Sequence, residues 1–229
     1  MSVSVVIPWR GGCPHREAAL EWVAGRWRAS GHTPLVAKAP PGPWCKAAAV
    51  SAALPQAVGD VLVVADADVW CDGVPQAVKA VEDGAPWAIP HGQVHRLTEA
   101  ATTAVLGGGP LDGPTVQRPY TGFAGGGIAV LPRATYEDVP LDARFAGWGQ
   151  EDEAWALALL CLAGRPWRGR ARLWHLWHPP QVRTSRRWGS QASRALWQRY
   201  HAARADPQAM RTLLDEMPKE VTDAGSGGR

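Results

Sequence analysis

Paired cysteines are missing from this chain of 229 residues. Cys13, Cys45, Cys71 and Cys161 are scattered without a C-x-x-C pair, which excludes metal-knuckle spacing and favours reduced thiols over a disulfide framework. Long apolar runs are also missing. Runs such as Val61 to Ala65 are strand-sized and none reaches the length of a membrane-spanning helix, so no transmembrane span is expected. The opening residues from Met1 to Pro8 lack the charged head and long apolar stretch of a signal peptide, and a cytoplasmic location is expected by default. Phenylalanine is scarce, with 2 copies against 13 tryptophans. Tryptophans line carbohydrate sites, although a composition bias explains many of them equally well. Negative charge is missing from one whole stretch: between Ala163 and Ala205 stand ten arginines and no Asp, Glu or Lys. With a net charge of +3, the rest of the chain then carries about −7. Such a basic region favours an anionic partner, be it diphosphate, nucleic acid or acidic membrane. A solvated arginine surface is the plain alternative.

What is present describes a globular chain. Its length suits one domain with a sizeable core, and 46% hydrophobic against 20% charged residues is ordinary for such a protein. The β-branched run Val3 to Ile7, ending at Pro8, reads as a buried parallel strand. Pro14 to Ala29 shows helical spacing at Leu20, Val23, Ala24 and Trp27, stopped by Gly31. Leu35 to Ala37 reads as a strand, Trp44 to Val58 as a helix that Pro55 kinks or shortens, and Asp60 to Ala65 as a third strand. This β-α-β-α-β series implies right-handed crossovers and a parallel sheet, whose ligands bind beyond the carboxyl ends of the strands. Later, Ile128 to Leu131 and Arg170 to Trp174 are strand candidates, and helices are expected over Glu151 to Ala163, Gln191 to Ala203 and Pro207 to Met217. Asp223 to Arg229 reads as a disordered tail.

Three constellations carry chemistry. Asp66 and Asp68 follow the third strand, where both carboxylates can face a crevice and hold a hard divalent cation. His175 and His178, spaced i, i+3 between tryptophans, can approach a common point. A mixed Asp/His shell favours manganese over magnesium. In Gly147-Trp148-Gly149-Gln150-Glu151-Asp152, glycines permit a tight turn, the indole can stack on a sugar, and a carboxylate can take a proton from a hydroxyl. Taken singly, each has a bland reading: a turn, surface histidines, and acids that favour a helix start.

Ile7-Pro8-Trp9-Arg10, Asp66-Ala67-Asp68, Gly126-Gly127, Gly147-Trp148-Gly149-x-Glu151-Asp152 and His175-x-x-His178 occur in that order. The combination resembles the GT-A glycosyltransferases, particularly β-1,4-galactosyltransferases, chondroitin-type polymerases and polypeptide N-acetylgalactosaminyltransferases. It covers roughly residues 3–180. The resemblance implies an α/β fold: one GT-A (Rossmann-like) domain with a mostly parallel central sheet flanked by helices. That domain is expected over 1–185, a basic helical extension over 186–220 and a disordered tail over 221–229. It also implies roles. Pro8, Arg10, Arg16, Lys46, Asp66 and Ala67 would border the donor nucleotide, and Gly126, Gly127, Trp148 and Glu151 the donor or acceptor sugar. Asp68, His178 and His175 would bind Mn2+, with Mg2+ as the alternative ion. Asp152 matches the catalytic base of inverting members, assisted by Glu151. A UDP-sugar is the donor so implied. The acceptor stays open and includes anionic glycans, lipid-linked glycans and modified nucleic acid. Arg183, Arg186 and Arg187 could close over the diphosphate. Glu153 stands where members often carry Asp or Asn, which puts the acceptor subsite in doubt.

Two other classes compete. A sugar-nucleotide pyrophosphorylase would need a glycine-rich phosphate loop after the first strand, and only Gly11 and Gly12 stand there. A non-catalytic nucleic-acid-binding module would use the arginines and the five tryptophans between Trp167 and Trp197.

Overall fold

The computed structural model describes residues 1–122, 124–180 and 190–218. The chain runs β1 (Val3–Trp9), α1 (Pro14–Ala29), β2 (Leu35–Lys38), α2 (Lys46–Ala53), β3 (Val61–Ala65), β4 (Val69–Trp70), α3 (Val74–Glu82) and β5 (Ala88–Arg96). It continues with α4 (Glu99–Leu106), β6 (Ile128–Pro132), α5 (Arg133–Asp138), α6 (Glu151–Leu162), β7 (Trp167–His175), α7 (Gln191–Ala203) and α8 (Pro207–Asp215). No described helix is long and apolar enough to cross a membrane.

All strands join one sheet in the order β2-β1-β3-β6-β5-β7-β4. Five point one way, while β6 and β4 run against them. Side chains alternate across the sheet with the period of two that a strand imposes. Val6, Leu62, Val64, Ala129 and Leu131 enter a core shared with α2 and α6. Val5, Ile7, Val61, Val63, Ala65, Ile128 and Val130 enter the opposite core, under α1 and α3. Burial on both faces is why β3 and Val5 to Ile7 of β1 read as unbroken apolar runs.

The helix expected over Trp44 to Val58 is shortened to Lys46–Ala53, stopping before Pro55. β5 was not foreseen, because Pro90 and Gly92 interrupt its pattern. The strand keeps its pairing with β7 by shifting register between Ile89 and His91 and again between His91 and Gln93. β4, α3, α4 and α5 also escaped the periodicity reading; β4 is two residues long, too short to show one.

The helical carboxyl-terminal extension packs into the body. Leu196, Tyr200, Ala203, Met210, Leu213 and Leu214 belong to the same core as Val6 and Leu62. A buried carboxylate anchors them: Asp142 accepts from Tyr200 Oη at 2.9 Å and from Arg144 Nη2 at 2.7 Å. Arg144 in turn donates to the Leu213 carbonyl at 2.7 Å. The expected boundary at 185/186, Arg183, Arg186, Arg187 and the tail over 221–229 lie outside the described residues. Tyr200→Phe removes one bond to a buried charge and should lower stability by about 1.5–3 kcal/mol, read as an earlier urea midpoint with unchanged slope.

Candidate functional site

β3 and the turn after it set the first half of the site. The Asp66 amide donates to the Gly127 carbonyl at 2.8 Å, and the Gly127 amide returns a bond to Asp66 Oδ2 at 3.2 Å. Gly127 holds φ 75°, which a side chain would resist, and a Cβ there would press on Leu173. This exchange aims Asp66 across the sheet. Its other oxygen, Oδ1, accepts from Lys46 Nζ at 2.8 Å, and Lys46 also reaches Asp152 Oδ1 at 2.7 Å. One ammonium, 5% exposed, thus ties the ends of α2, β3 and α6 together.

Asp68 points elsewhere. Antiparallel pairing of β4 with β7 sets Val69 opposite His175, and the Leu176 amide donates to the Asp68 carbonyl at 2.8 Å. The Asp68 carboxylate therefore lies beside both imidazoles. Oδ2 is 3.3 Å from His178 Nε2, and Oδ1 is 4.0 Å from His175 Nε2. In each histidine Nδ1 lies 2.8 Å from a backbone carbonyl, that of Leu176 or Pro179. A carbonyl only accepts, so Nδ1 carries the proton and Nε2 presents a lone pair. The three donor groups lie within 4.8 Å of one another. Ligands about 2.0–2.2 Å from a shared cation stand at such separations. The donor set therefore fits a divalent transition ion, and among the described residues Asp66 is not part of it. Lys46 takes Asp66 instead.

The Gly-Trp-Gly turn forms the opposite wall. Gly147 and Gly149 have positive φ, and so does Gln150 at 75°. These torsions turn the chain sharply into α6, letting Glu151 Oε2 accept from the Gly149 amide at 2.9 Å. Trp148 stacks on Trp44 with centroids 5.4 Å apart, and the Arg16 guanidinium sits 4.3 Å from its ring centre. Arg16 also donates to His178 Nε2 at 3.2 Å.

These walls enclose a cleft of about 760 Å³. Pro8, Arg10, Arg16, Lys46, Asp66, Ala67, Asp68, Gly126, Gly127, Trp148, Glu151, Asp152, His175 and His178 all line it, so these residues, singled out from the sequence, come together in one place.

In three dimensions the chain is similar to the crystal structure of GalNAc-T7 with UDP, GalNAc and Mn2+, at TM-score 0.54 and 13% identity. The match covers 89% of this chain and 48% of that one, so the chain spans about half of its length. The fold is of the GT-A type. Looser likenesses are a Drosophila β-1,4-galactosyltransferase 7 variant with manganese, UDP-Gal and xylobiose (TM-score 0.43, 15% identity, 82% of this chain and 67% of that one). Another is Mycobacterium tuberculosis glucosyl-3-phosphoglycerate synthase with Mn2+, UDP and glucosyl-3-phosphoglycerate (TM-score 0.48, 16% identity, 89% and 80%). No protein-family model matches the chain, and no curated protein does.

Within this GT-A cleft the charges are unevenly held. Burial works against the Lys46 ammonium, but Asp152 and Asp66 outweigh it and keep its pKa above the ordinary lysine value. Burial raises Asp152 above the ordinary carboxylate range despite Lys46. Glu151 is pushed up to about 7 by burial and the neighbouring Asp152 charge. Burial also depresses both His175 and His178, which keeps them neutral and able to ligate. Burial opposes the Asp68 charge as well, yet His175, His178, Arg16 and Arg96 together hold its pKa low. With the imidazoles neutral, the two guanidiniums are the lasting positive neighbours.

Sequence reasoning missed Arg96, Tyr120 and Trp44, which also line the cleft beside Glu153. Arg96 ends β5 and donates to Tyr120 Oη at 2.8 Å; recognising a strand through Pro90 would have exposed it. Lys46→Met should cost about 2–3 kcal/mol, less than for a fully buried pair because Asp66 and Asp152 keep 33% and 28% side-chain exposure. Adding Asp152→Asn should recover part of that loss in urea unfolding, since one of the two stranded charges is removed.

Proposed function

We propose that the protein transfers a sugar from a nucleotide sugar, with UDP-sugars as the donor class, to an acceptor hydroxyl with inversion. The observation that carries this reading is the meeting of the Asp68, His175 and His178 donor atoms with the Lys46-bound acids in one cleft. The fold shared with GalNAc-T7, whose structure holds UDP, GalNAc and Mn2+, supports it.

In this reading Pro8 and Arg10 border the nucleoside, while Arg16 and Lys46 present positive charge to the diphosphate. A divalent cation held by Asp68, His175 and His178 supplies further charge against the departing diphosphate. Trp148 and Glu151 orient the sugars. Asp152 takes the acceptor proton. As the acceptor oxygen bonds to the anomeric carbon, the bond from that carbon to the diphosphate oxygen breaks on the opposite face. Burial raises the pKa of Asp152 and so strengthens the carboxylate as a base, while the Lys46 ammonium opposes that rise. Glu151 is hydrogen-bonded to the Gly149 amide rather than to that ammonium and suits a sugar hydroxyl.

Thermal-shift measurements with UDP-sugars test the donor half: stabilisation is expected only with Mn2+, and Asp68→Ala should abolish it. A shift of equal size without metal, or in that variant, removes the trio from the site. Slow hydrolysis of the UDP-sugar tests the other half. Asp152→Asn should keep the donor-dependent shift yet lower turnover by about 10²–10⁴-fold, and undiminished turnover excludes Asp152 as base.

A further inference from the structure

β7 ends at His175, and residues 176–180 continue in no helix or strand. Three successive backbone groups there are nevertheless tied to other elements. The His175 carbonyl accepts from the Leu97 amide at 2.9 Å, and the Leu176 amide donates to the Asp68 carbonyl at 2.8 Å. The Trp177 amide donates to Thr102 Oγ1 at 2.7 Å. That third bond differs in kind, because its acceptor is a side chain of α4, 75 residues earlier in the chain.

Thr102 stands in the first turn of α4, which Thr98 caps by accepting from the Ala101 amide at 3.2 Å. Its neighbour Thr103 makes the bond usual for a helix threonine, donating from Oγ1 to the Glu99 carbonyl at 3.1 Å. Thr102 is buried, and its oxygen accepts an amide from outside the helix. The Trp177 indole packs edge-on against His15 of α1 at 5.0 Å, so two helices hold this residue.

The Trp177 N–H and the Leu176 carbonyl belong to one planar peptide unit. That same carbonyl accepts from His175 Nδ1 at 2.8 Å and so sets which nitrogen of the ring faces Asp68. A hydroxyl that fixes one end of the plane therefore fixes the carbonyl at the other, and through it the ring. We propose that Thr102 is a positioning residue of the cation site, acting through the Leu176–Trp177 peptide on His175. The proposal rests on the reading of Asp68, His175 and His178 as cation ligands. Loss of such supporting partners weakens metal binding by about 10–100-fold.

Electron paramagnetic resonance of free Mn2+, titrated against the whole protein, measures the cation affinity directly. Thr102→Val keeps the shape but not the hydroxyl and should raise the Mn2+ Kd about tenfold, whereas Thr102→Ser should stay within about twofold of the wild type. Tyr200→Phe is the control for lost stability: it lies outside the cleft and should leave the Mn2+ Kd unmoved. At saturating Mn2+ the affinity for UDP should be the same in Thr102→Val and the wild type, which also reports that the variant is folded. An unchanged Mn2+ Kd in Thr102→Val overturns the proposal. So does an equal loss in Thr102→Ser or Tyr200→Phe, or a UDP affinity that falls as far as that for Mn2+. Asp68→Ala separates the two readings. If it binds Mn2+ as well as the wild type, the trio holds no cation and the role of Thr102 goes with it. If it loses Mn2+ while Thr102→Val does not, the role of Thr102 alone is removed.

Discussion

The buried ammonium of Lys46 is where the two halves of the molecule are joined. It begins a helix on one face of the sheet, yet its two partners come from the end of β3 and the first turn of α6, 20 and 106 residues away in the chain. A charge at that depth is tolerated only because both carboxylates reach it, and each is spared repulsion from the other only because it is there. Its geometry fixes the spacing between Asp66 and Asp152, and with it the width of the cleft. Gly125 shows how tightly this is drawn: a Cβ there would lie 2.3 Å from the Asp152 carbonyl, so α6 starts flush against the glycine loop.

A second constraint works beside it. Asp68 and the histidines are far apart in sequence and would stay so without the two-residue strand β4 and its pairing with β7. That hinge of backbone bonds divides the Asp-Ala-Asp run between two tasks, one carboxylate facing the ammonium and the other the imidazoles. Neutral ring nitrogens are then available at ordinary pH because burial, rather than any partner, sets their protonation.

Much of this was legible in the chain itself. β3 and the stretch from Val5 to Ile7 of β1 declared themselves because burial on both faces leaves no polar residue to blur the run, and α1 and α7 because one-sided burial leaves a helical stripe. The site residues were legible as an ordered set, each ambiguous alone. What stayed hidden has a common cause. β5 is bent twice, at Pro90 and Gly92, so its side chains break the alternation that marks a strand, and Arg96 and its partner Tyr120 went unnoticed with it. The backbone bonds that aim Asp66 and Asp68 apart, to Gly127 and Leu176, were hidden because no local pattern encodes them. Likewise the depth to which α7 and α8 are built into the core depends on Asp142, a lone acid whose partners lie 58 and 69 or more residues ahead by way of Tyr200 and Arg144.

That last feature bears on how the molecule comes into being on the ribosome. The sheet's first three strands emerge early, but the apolar surface over Val6 and Leu62 is closed by Tyr200, Met210 and Leu213, among the last described residues to be synthesised. The nascent sheet must wait, with one side uncovered, until the segment from Leu196 to Leu214 has left the exit tunnel. During that interval it is the part of the molecule most in need of a chaperone's protection.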